Sequence, residues 1–366
     1  MASKHNTIMK DIANKIGMSV VTVSKALRGH PDISHKTSQK IKTIAKEMGY
    51  LPNYLARNLS ARNSNTIGVV VPKIAHYFFG SIIEHIYNKA FENEYEILLS
   101  VSRENAKNEI KHLQTLMSMK VDGIIISITQ ETSDFEIFEV VKQRGIPLLF
   151  MDRIPPISDV NTVAFNDRIG AFNAVEQMIK VGYVRIGHFA GMESINIGLQ
   201  RYLGFEDAMN KYNIPINPDW VMKAGFGEDD GYNSFMKLYS DDNLPDAIFT
   251  VTYPVAIGIY KAVKELGLKI PEDIDVICFG DANMQKFLSP QLSCIGQPTE
   301  QIAELSMEIL LDNIRKKQNG FSPRNKIIET DLILRETCIN YKNRDRILND
   351  VNDHNNKHNR IVKVQF

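Results

Sequence analysis

The chain has 366 residues, 43 of them basic and 43 acidic, with 43% hydrophobic and 23% charged content, which is enough for two or three ordinary folded domains. No apolar run reaches the ~18 residues of a membrane helix, and the N-terminus has no apolar stretch resembling a secretory signal, so a cytoplasmic protein is expected. The scattered Cys278, Cys294 and Cys338 have no metal-ligand spacing and suggest buried free thiols, with no cofactor or metal.

Charge is unevenly placed. Residues 1–65 hold eleven Lys or Arg against three Asp or Glu, so the rest of the chain carries the compensating acidic excess. A basic head on an acidic body is the asymmetry expected when one segment faces a polyanion. In the head, Ile8, Ile12 and Ile16 form one helical stripe, which Thr7 can cap and Gly17 can end. Ser19 is a second cap, before a helix with Val20, Val23 and Leu27 on one face. The short Gly17-Met18-Ser19 connection gives a helix-turn-helix pattern. A third helix begins near Ser34 and runs to Gly49.

In such a motif the second helix enters the major groove. Val20, Val21, Thr22 and Lys25 are the candidates to meet bases, with Lys25 donating to guanine and Val21 packing on a thymine methyl. Thr22, Ser24 and the basic residues around them, Arg28 included, suit phosphates. The competing reading is a three-helix bundle that binds another protein. After Gly49, Pro52 breaks the helix and Asn53 can cap a short segment from Tyr54 to Ser60, with Arg57 and an exposed Leu59. That segment is too short to be helical alone, and an apolar wedge on it can kink DNA from the minor groove. A flexible linker is the alternative.

From Thr66 onward, strand-like runs at 67–71, 96–101, 122–127 and 147–151, then 184–191, 246–251 and 275–279, alternate with helical stretches. This predicts two doubly wound parallel α/β halves, with ligands at the carboxyl ends of strands and a site between the halves. The rule selects Tyr77, Phe78 and Phe79, Ser127, Asp152 and Arg153, Asn166-Asp167, Arg201, Phe226 and Asp281, and Tyr253 joins them as an expected effector-binding residue. Aromatics, carboxylates and arginines around a cleft suit a sugar. Each residue also has a structural reading: Tyr77 and Phe78 as core, Arg201 as a surface cation, Asp152-Arg153 as a local ion pair, Asp281 as a helix cap. No phosphate-cradling G-x-x-x-x-G-K-[ST], dinucleotide G-x-G-x-x-G or nucleophile elbow occurs, which argues against a sugar-metabolising enzyme. A plain sugar-transport protein would lack the basic head.

The stretch from Thr7 to Pro72, including TVSKAL, GYLPN and ARNLS, resembles without gaps the head, hinge and first core strand of the LacI/GalR family of repressors. VRIGHFAG, LQRYLGFEDAM, LKIPEDIDVICFG, LSCIGQP and ETDLILRETC continue the likeness to about residue 339. The resemblance implies a helix-turn-helix domain at 1–50, a hinge at 51–65 and an effector-binding, dimerising body of periplasmic-binding-protein type at 66–339. It implies crossovers near 164, 294 and 323, with a first subdomain of about 66–164 and 295–322 and a second of about 165–293 and 324–339. By family position, Val20, Val21 and Lys25 read bases and Leu59 inserts at the centre of a palindromic operator. The implied DNA-facing set is Thr7, Ser19, Val20, Val21, Thr22, Ser24, Lys25, Arg28, Asn53, Tyr54, Arg57 and Leu59. Tyr77, Phe78, Asp152, Arg153, Arg201, Phe226 and the Asp281 region line the effector cleft. Departures from the family pattern occur at Asn166-Asp167, at Tyr253 and at Gly280 before Asp281, so the effector does not transfer from any relative. The implied protein is a homodimeric, sugar-switched regulator with no membrane partner. Residues 340–366, rich in Asn, Asp, Lys and His, read as a polar disordered tail whose His354 and His358 lack supporting metal ligands.

Overall fold

A computed structural model describes residues 7–50, 64–75, 77–280, 283–316, 323–339 and 362–364. It divides into two units, residues 1–64 and 65–366. The expected hinge residues Asn53, Tyr54, Arg57 and Leu59, the cleft residue Asp281 and most of the polar tail lie outside the described residues.

The first unit is three helices, α1 (Met9–Ile16), α2 (Val20–Leu27) and α3 (His35–Glu47), around Ile12, Ala13, Val23, Ala26, Ile41 and Ala45. Gly17, at φ 66°, ends α1 in the left-handed region, where the absence of a Cβ removes the steric penalty. Ser19 caps α2 by accepting the Thr22 N–H at 3.0 Å, and Ser34 caps α3 by accepting the Thr37 N–H at 3.2 Å. Two sequence expectations change. Thr7 does not cap α1: its hydroxyl donates to the Met48 carbonyl at 2.8 Å, and Asp11 accepts the N–H of the cap residue Ile8. Val20 stands outside the core, and Ala26 takes the buried place beside Val23. Val20 lies in the first turn of α2, which the core cluster of the head does not cover.

The second unit holds two six-stranded sheets. The first sheet has the order β10-β5-β4-β3-β1-β2, all parallel. Its strands are β1 (Thr66–Val71), β2 (Glu96–Val101), β3 (Gly123–Ile126), β4 (Leu148–Met151), β5 (Asn161–Phe165) and β10 (Asn325–Ile328). The second sheet has the order β12-β11-β9-β8-β7-β6 and is parallel except where β11 meets β9. Its strands are β6 (Ile186–Phe189), β7 (Ala247–Thr250), β8 (Asp275–Phe279), β9 (Ser293–Gly296), β11 (Asp331–Leu334) and β12 (Val362–Val364). Helices α4 (Tyr77–Glu92), α5 (Ala106–Ser118), α6 (Glu136–Gln143) and α11 (Thr299–Arg315) belong with the first sheet. Helices α7 (Asp167–Lys180), α8 (Asn196–Lys211), α9 (Glu228–Ser240) and α10 (Tyr253–Leu266) belong with the second. The central strands are apolar on both faces, as parallel strands covered by helices must be.

The chain crosses between subdomains after β5, after β9 and between β10 and β11. The last crossing therefore lies at residues 329–330 instead of near 323, because Asn325–Ile328 pairs with β5 in the first sheet. Residues 295–296 likewise belong to the second sheet, as part of β9. The tail, expected to be disordered, contributes Val362–Val364 as a strand parallel to β11, in keeping with the strand preference of valine. Cys278, Cys294 and Cys338 are buried and form no disulfide among the described residues, and no described helix is long and apolar enough to cross a membrane.

Helices α9 and α10 approach backbone to backbone through two glycines. A Cβ on Gly231 would overlap the Val255 carbonyl, and one on Gly258 would overlap the Glu228 carbonyl. Neither obstacle can rotate away. Gly258→Ala is therefore expected to cost about 1–3 kcal/mol of stability, read from the urea unfolding midpoint of the full chain.

Candidate functional site

The strands of the first sheet, and β6 to β9 of the second, deliver their carboxyl ends to one cleft. The cavity there has an empty volume of about 590 Å³, part of it open to solvent. The start of α4 brings Tyr77, Phe78 and Phe79; the turn after β4 brings Asp152 and Arg153. From the second subdomain come Arg201 on α8, Phe226 before α9, Tyr253 at the head of α10, and Phe279 and Gly280 at the end of β8. Gly191 lies where a Cβ would collide with the Phe226 ring, so the loop after β6 can seat that ring only with glycine there.

Arg201 is 2% exposed. Its Nε donates to Asp167 Oδ1 at 2.8 Å, its second nitrogen lies 2.7 Å from the same oxygen, and Nη1 donates to the Val251 carbonyl at 2.5 Å. The guanidinium lies 3.7 Å from the Phe279 ring centroid, a cation–π contact in a desolvated setting. Arg153 mirrors it: Nη1 donates to both oxygens of Glu104, at 2.8 and 3.0 Å, and the guanidinium lies 4.8 Å from the Phe226 centroid. Each cation thus has its own carboxylate. Asp152 does not: its carboxylate accepts no hydrogen bond among the described residues, although it is buried and faces the cavity. Burial pushes its pKa up to about 7, against the pull of Arg201. Beneath it, burial likewise raises Glu109 to about 7, although it accepts the Thr132 hydroxyl and the Thr129 N–H.

Of the sequence-selected cleft residues, Tyr77, Phe78, Asp152, Arg153, Arg201, Phe226 and Tyr253 meet around this cavity. Ser127 does not line it: the residue is buried beyond β3, and its Oγ has no partner. Asn166 is also elsewhere, donating to both Glu329 carboxylate oxygens at 3.1 Å beside the last crossover. The neighbouring Asp167 is the one that reaches Arg201. Phe279, Gln297 and Glu104 were missed as site residues. Glu104 and Phe279 lie at strand carboxyl ends and could have been found by the same rule, whereas Gln297 follows β9, a strand that was not recognised.

On the head, Val21 is 65% exposed and Val20 43%, so both present apolar surface to solvent. Lys25 Nζ donates to Asp32 at 2.7 Å, which holds that carboxyl below its ordinary range, and Arg28 Nε donates to the Ser24 carbonyl at 3.2 Å. Thr22 shares a 2.9 Å hydroxyl contact with Ser19. Thr7 turns toward α3, leaving its hydroxyl hydrogen engaged at Met48.

Comparison with known proteins gives matches to both units. Residues 8–53 match the family described as bacterial regulatory proteins, lacI family, and residues 175–338 match the periplasmic binding protein-like domain. A ribose operon repressor of Haemophilus influenzae is 28% identical over 91% of this chain and 99% of its own length. The crystal structure of a LacI family transcriptional regulator from Enterococcus faecium with bound ribose superposes with a TM-score of 0.67 at 26% identity, covering 75% of this chain and 98% of that one. The fold is also that of the lac repressor dimer bound to operator and the anti-inducer ONPF, with a TM-score of 0.78 at 23% identity over 92% of this chain and 100% of that one.

The raised pKa of Asp152 has a consequence for stability. The folded protein holds this proton more tightly than the unfolded chain, so the contribution is full below about pH 4 and is lost as pH rises through about 7. Asp152→Asn removes the buried charge. It is expected to raise the Tm of the ligand-free chain by about 2–4 °C at pH 8 and by only about a third as much at pH 5, where the unfolded carboxyl is already ionised, measured by calorimetry. An equal shift at both pH values would rule out the carboxylate as the source.

Proposed function

We propose that this chain, whose residues 8–53 match the lacI family of bacterial regulatory proteins, is a cytoplasmic, homodimeric repressor of that family whose hold on a palindromic operator is released by an uncharged sugar bound in the cleft. DNA binding belongs to the helix-turn-helix head and effector binding to the periplasmic-binding-protein-like body.

The observation that carries the choice of ligand is the charge pairing of the cleft. Arg153 is matched by Glu104 and Arg201 by Asp167, so neither guanidinium has net charge to offer an anion. Asp152 makes the site negative when ionised and neutral when protonated. A phosphate ester would meet no unbalanced cation there. A neutral polyol fits: ring hydroxyls donate to Asp152 and accept from the remaining guanidinium N–H groups, and the apolar ring faces lie against Phe226, Tyr253 and Phe78. The bound ribose in the Enterococcus faecium relative supports the class.

On the head, the exposed Val20 and Val21 suit apolar contacts with thymine methyl groups. Lys25 must leave Asp32 to reach a guanine, while Ser19, Thr22, Ser24 and Arg28 suit phosphates. Thr7, with its hydroxyl hydrogen committed to Met48, keeps only its oxygen and N–H for such a contact. Asn53, Tyr54, Arg57 and Leu59 are assigned to the hinge from the sequence alone, and Asp281 to the cleft rim. A second copy is supported by bulky exposed rings on the body. Phe91 on α4 is 71% exposed and stacked on Tyr87, and Phe287 is 72% exposed. Two heads on such a dimer read two half-sites of a palindrome.

Selection of bound duplexes from a random pool tests the operator reading: a palindromic motif is expected, and salt-sensitive binding without any motif would overturn it. Calorimetry with D-ribose, D-glucose and D-ribose 5-phosphate tests the ligand class. A neutral sugar is expected to bind about tenfold or more tightly than the phosphate ester, and the reverse order would sink the proposal. Leu59→Ala is expected to weaken operator binding by tenfold or more while leaving sugar affinity unchanged, on the ~1.4 kcal/mol scale of a lost apolar wedge.

A further inference from the structure

One polar side chain outside the cavity lining joins the two subdomains. Asn196 opens α8 in the second subdomain, and its amide grips the backbone just after β4 in the first. Its Oδ1 accepts the Ile154 N–H at 2.8 Å, and its Nδ2 donates to the Asp152 carbonyl at 3.0 Å. Donor and acceptor ends of one planar group are therefore both engaged on a three-residue stretch, which fixes direction as well as distance.

The stretch it grips is conformationally demanding. Asp152 has φ 62°, in the left-handed region that side-chain-bearing residues enter at a steric cost. The same residue lines the cavity. The side holding Asn196 has little slack. Ile195 is fully buried and donates its N–H to the Met192 carbonyl at 3.2 Å, and a Cβ on Gly198 would run into that same carbonyl. The first turn of α8 is thereby seated on the loop after β6, and the amide is presented at a fixed place.

Other contacts cross the cleft. Asn283 Nδ2 donates to the Tyr77 hydroxyl at 2.7 Å, and the Arg153 guanidinium lies over Phe226. Tyr77, Arg153 and Phe226 line the cavity, so an occupant would touch them; Asn196 does not line it.

We propose that Asn196 is a positioning residue that latches the two subdomains closed and, by the same two hydrogen bonds, holds the Asp152 carboxylate aimed at the ligand. Closing the cleft and presenting its unpaired acceptor are then a single event. The proposal rests on the reading of the cavity as the effector site.

Hydrogen exchange and small-angle scattering on the ligand-free full chain test the latch without any ligand. Asn196→Ala is expected to speed exchange of the Ile154 amide about tenfold or more and to enlarge the radius of gyration, with exchange in α2 and α3 unchanged. Asn196→Asp keeps the acceptor and loses the donor, so it should retain slow exchange at Ile154, which separates the latch from general loss of fold. Calorimetry with D-ribose should show about tenfold weaker binding to Asn196→Ala than to the unaltered chain. If the unaltered chain takes up no D-ribose, the ribose reading fails and the exchange result still decides the latch. Wild-type exchange at Ile154 and an unchanged scattering profile in Asn196→Ala overturn it.

Discussion

A guanidinium sealed from solvent constrains this molecule more than any other single group. A buried cation is tolerated only with a close counter-charge and hydrogen bonds on its remaining donors. Arg201 meets the requirement by drawing four elements together: α7 through Asp167, its own helix α8, the end of β7 through the Val251 carbonyl, and the end of β8 through the Phe279 ring. Removing it would strand the Asp167 carboxylate, a loss on the order of 3–5 kcal/mol for a buried pair. The wall of the cleft and the packing of the second subdomain therefore cannot be varied independently.

The first subdomain solves the same problem with Arg153 and Glu104, and the Glu104 carboxylate also accepts the Gln130 N–H. Each subdomain thus offers the cleft an arginine already neutralised and already held in orientation. Such groups recognise by direction more than by net attraction, because their pairing leaves only particular N–H vectors unfilled. Around them the cavity wall is apolar and aromatic, with Phe78, Phe226 and Phe279 in it.

The alternation of strands and helices was legible because β1 to β4 and β6 to β8 are runs of apolar, often β-branched residues bounded by turns. The rule that ligands meet strand carboxyl ends then located most of the cavity wall. What stayed hidden were the short strands near the crossovers. Asn161–Phe165 does alternate in burial, but it opens with a polar pair; Ser293–Gly296 is short and has only Ile295 as a large apolar residue; Asn325–Ile328 is mostly exposed at a sheet edge. Missing β10 displaced the third crossover. In the head, Val20 fitted the apolar stripe by spacing, yet the core cluster does not reach the first turn of α2. Asn196 left no periodic signal, because its partners lie more than forty residues away along the chain and meet it only through tertiary geometry.

The three crossings also set an order of events during translation. The head is a contiguous stretch with its own small core and can form as soon as it clears the ribosome, as N-terminal units generally do. The first subdomain cannot follow directly. Helix α11, which packs against β3, β4 and β5, and the edge strand β10 are both encoded after almost the whole second subdomain. Until residue 328 emerges, that sheet has an uncovered apolar face and an unpaired edge at β5. The nascent chain thus carries a complete three-helix head while the sheet behind it is still half built, and the exposed apolar face and edge of that sheet are at their most aggregation-prone in the interval.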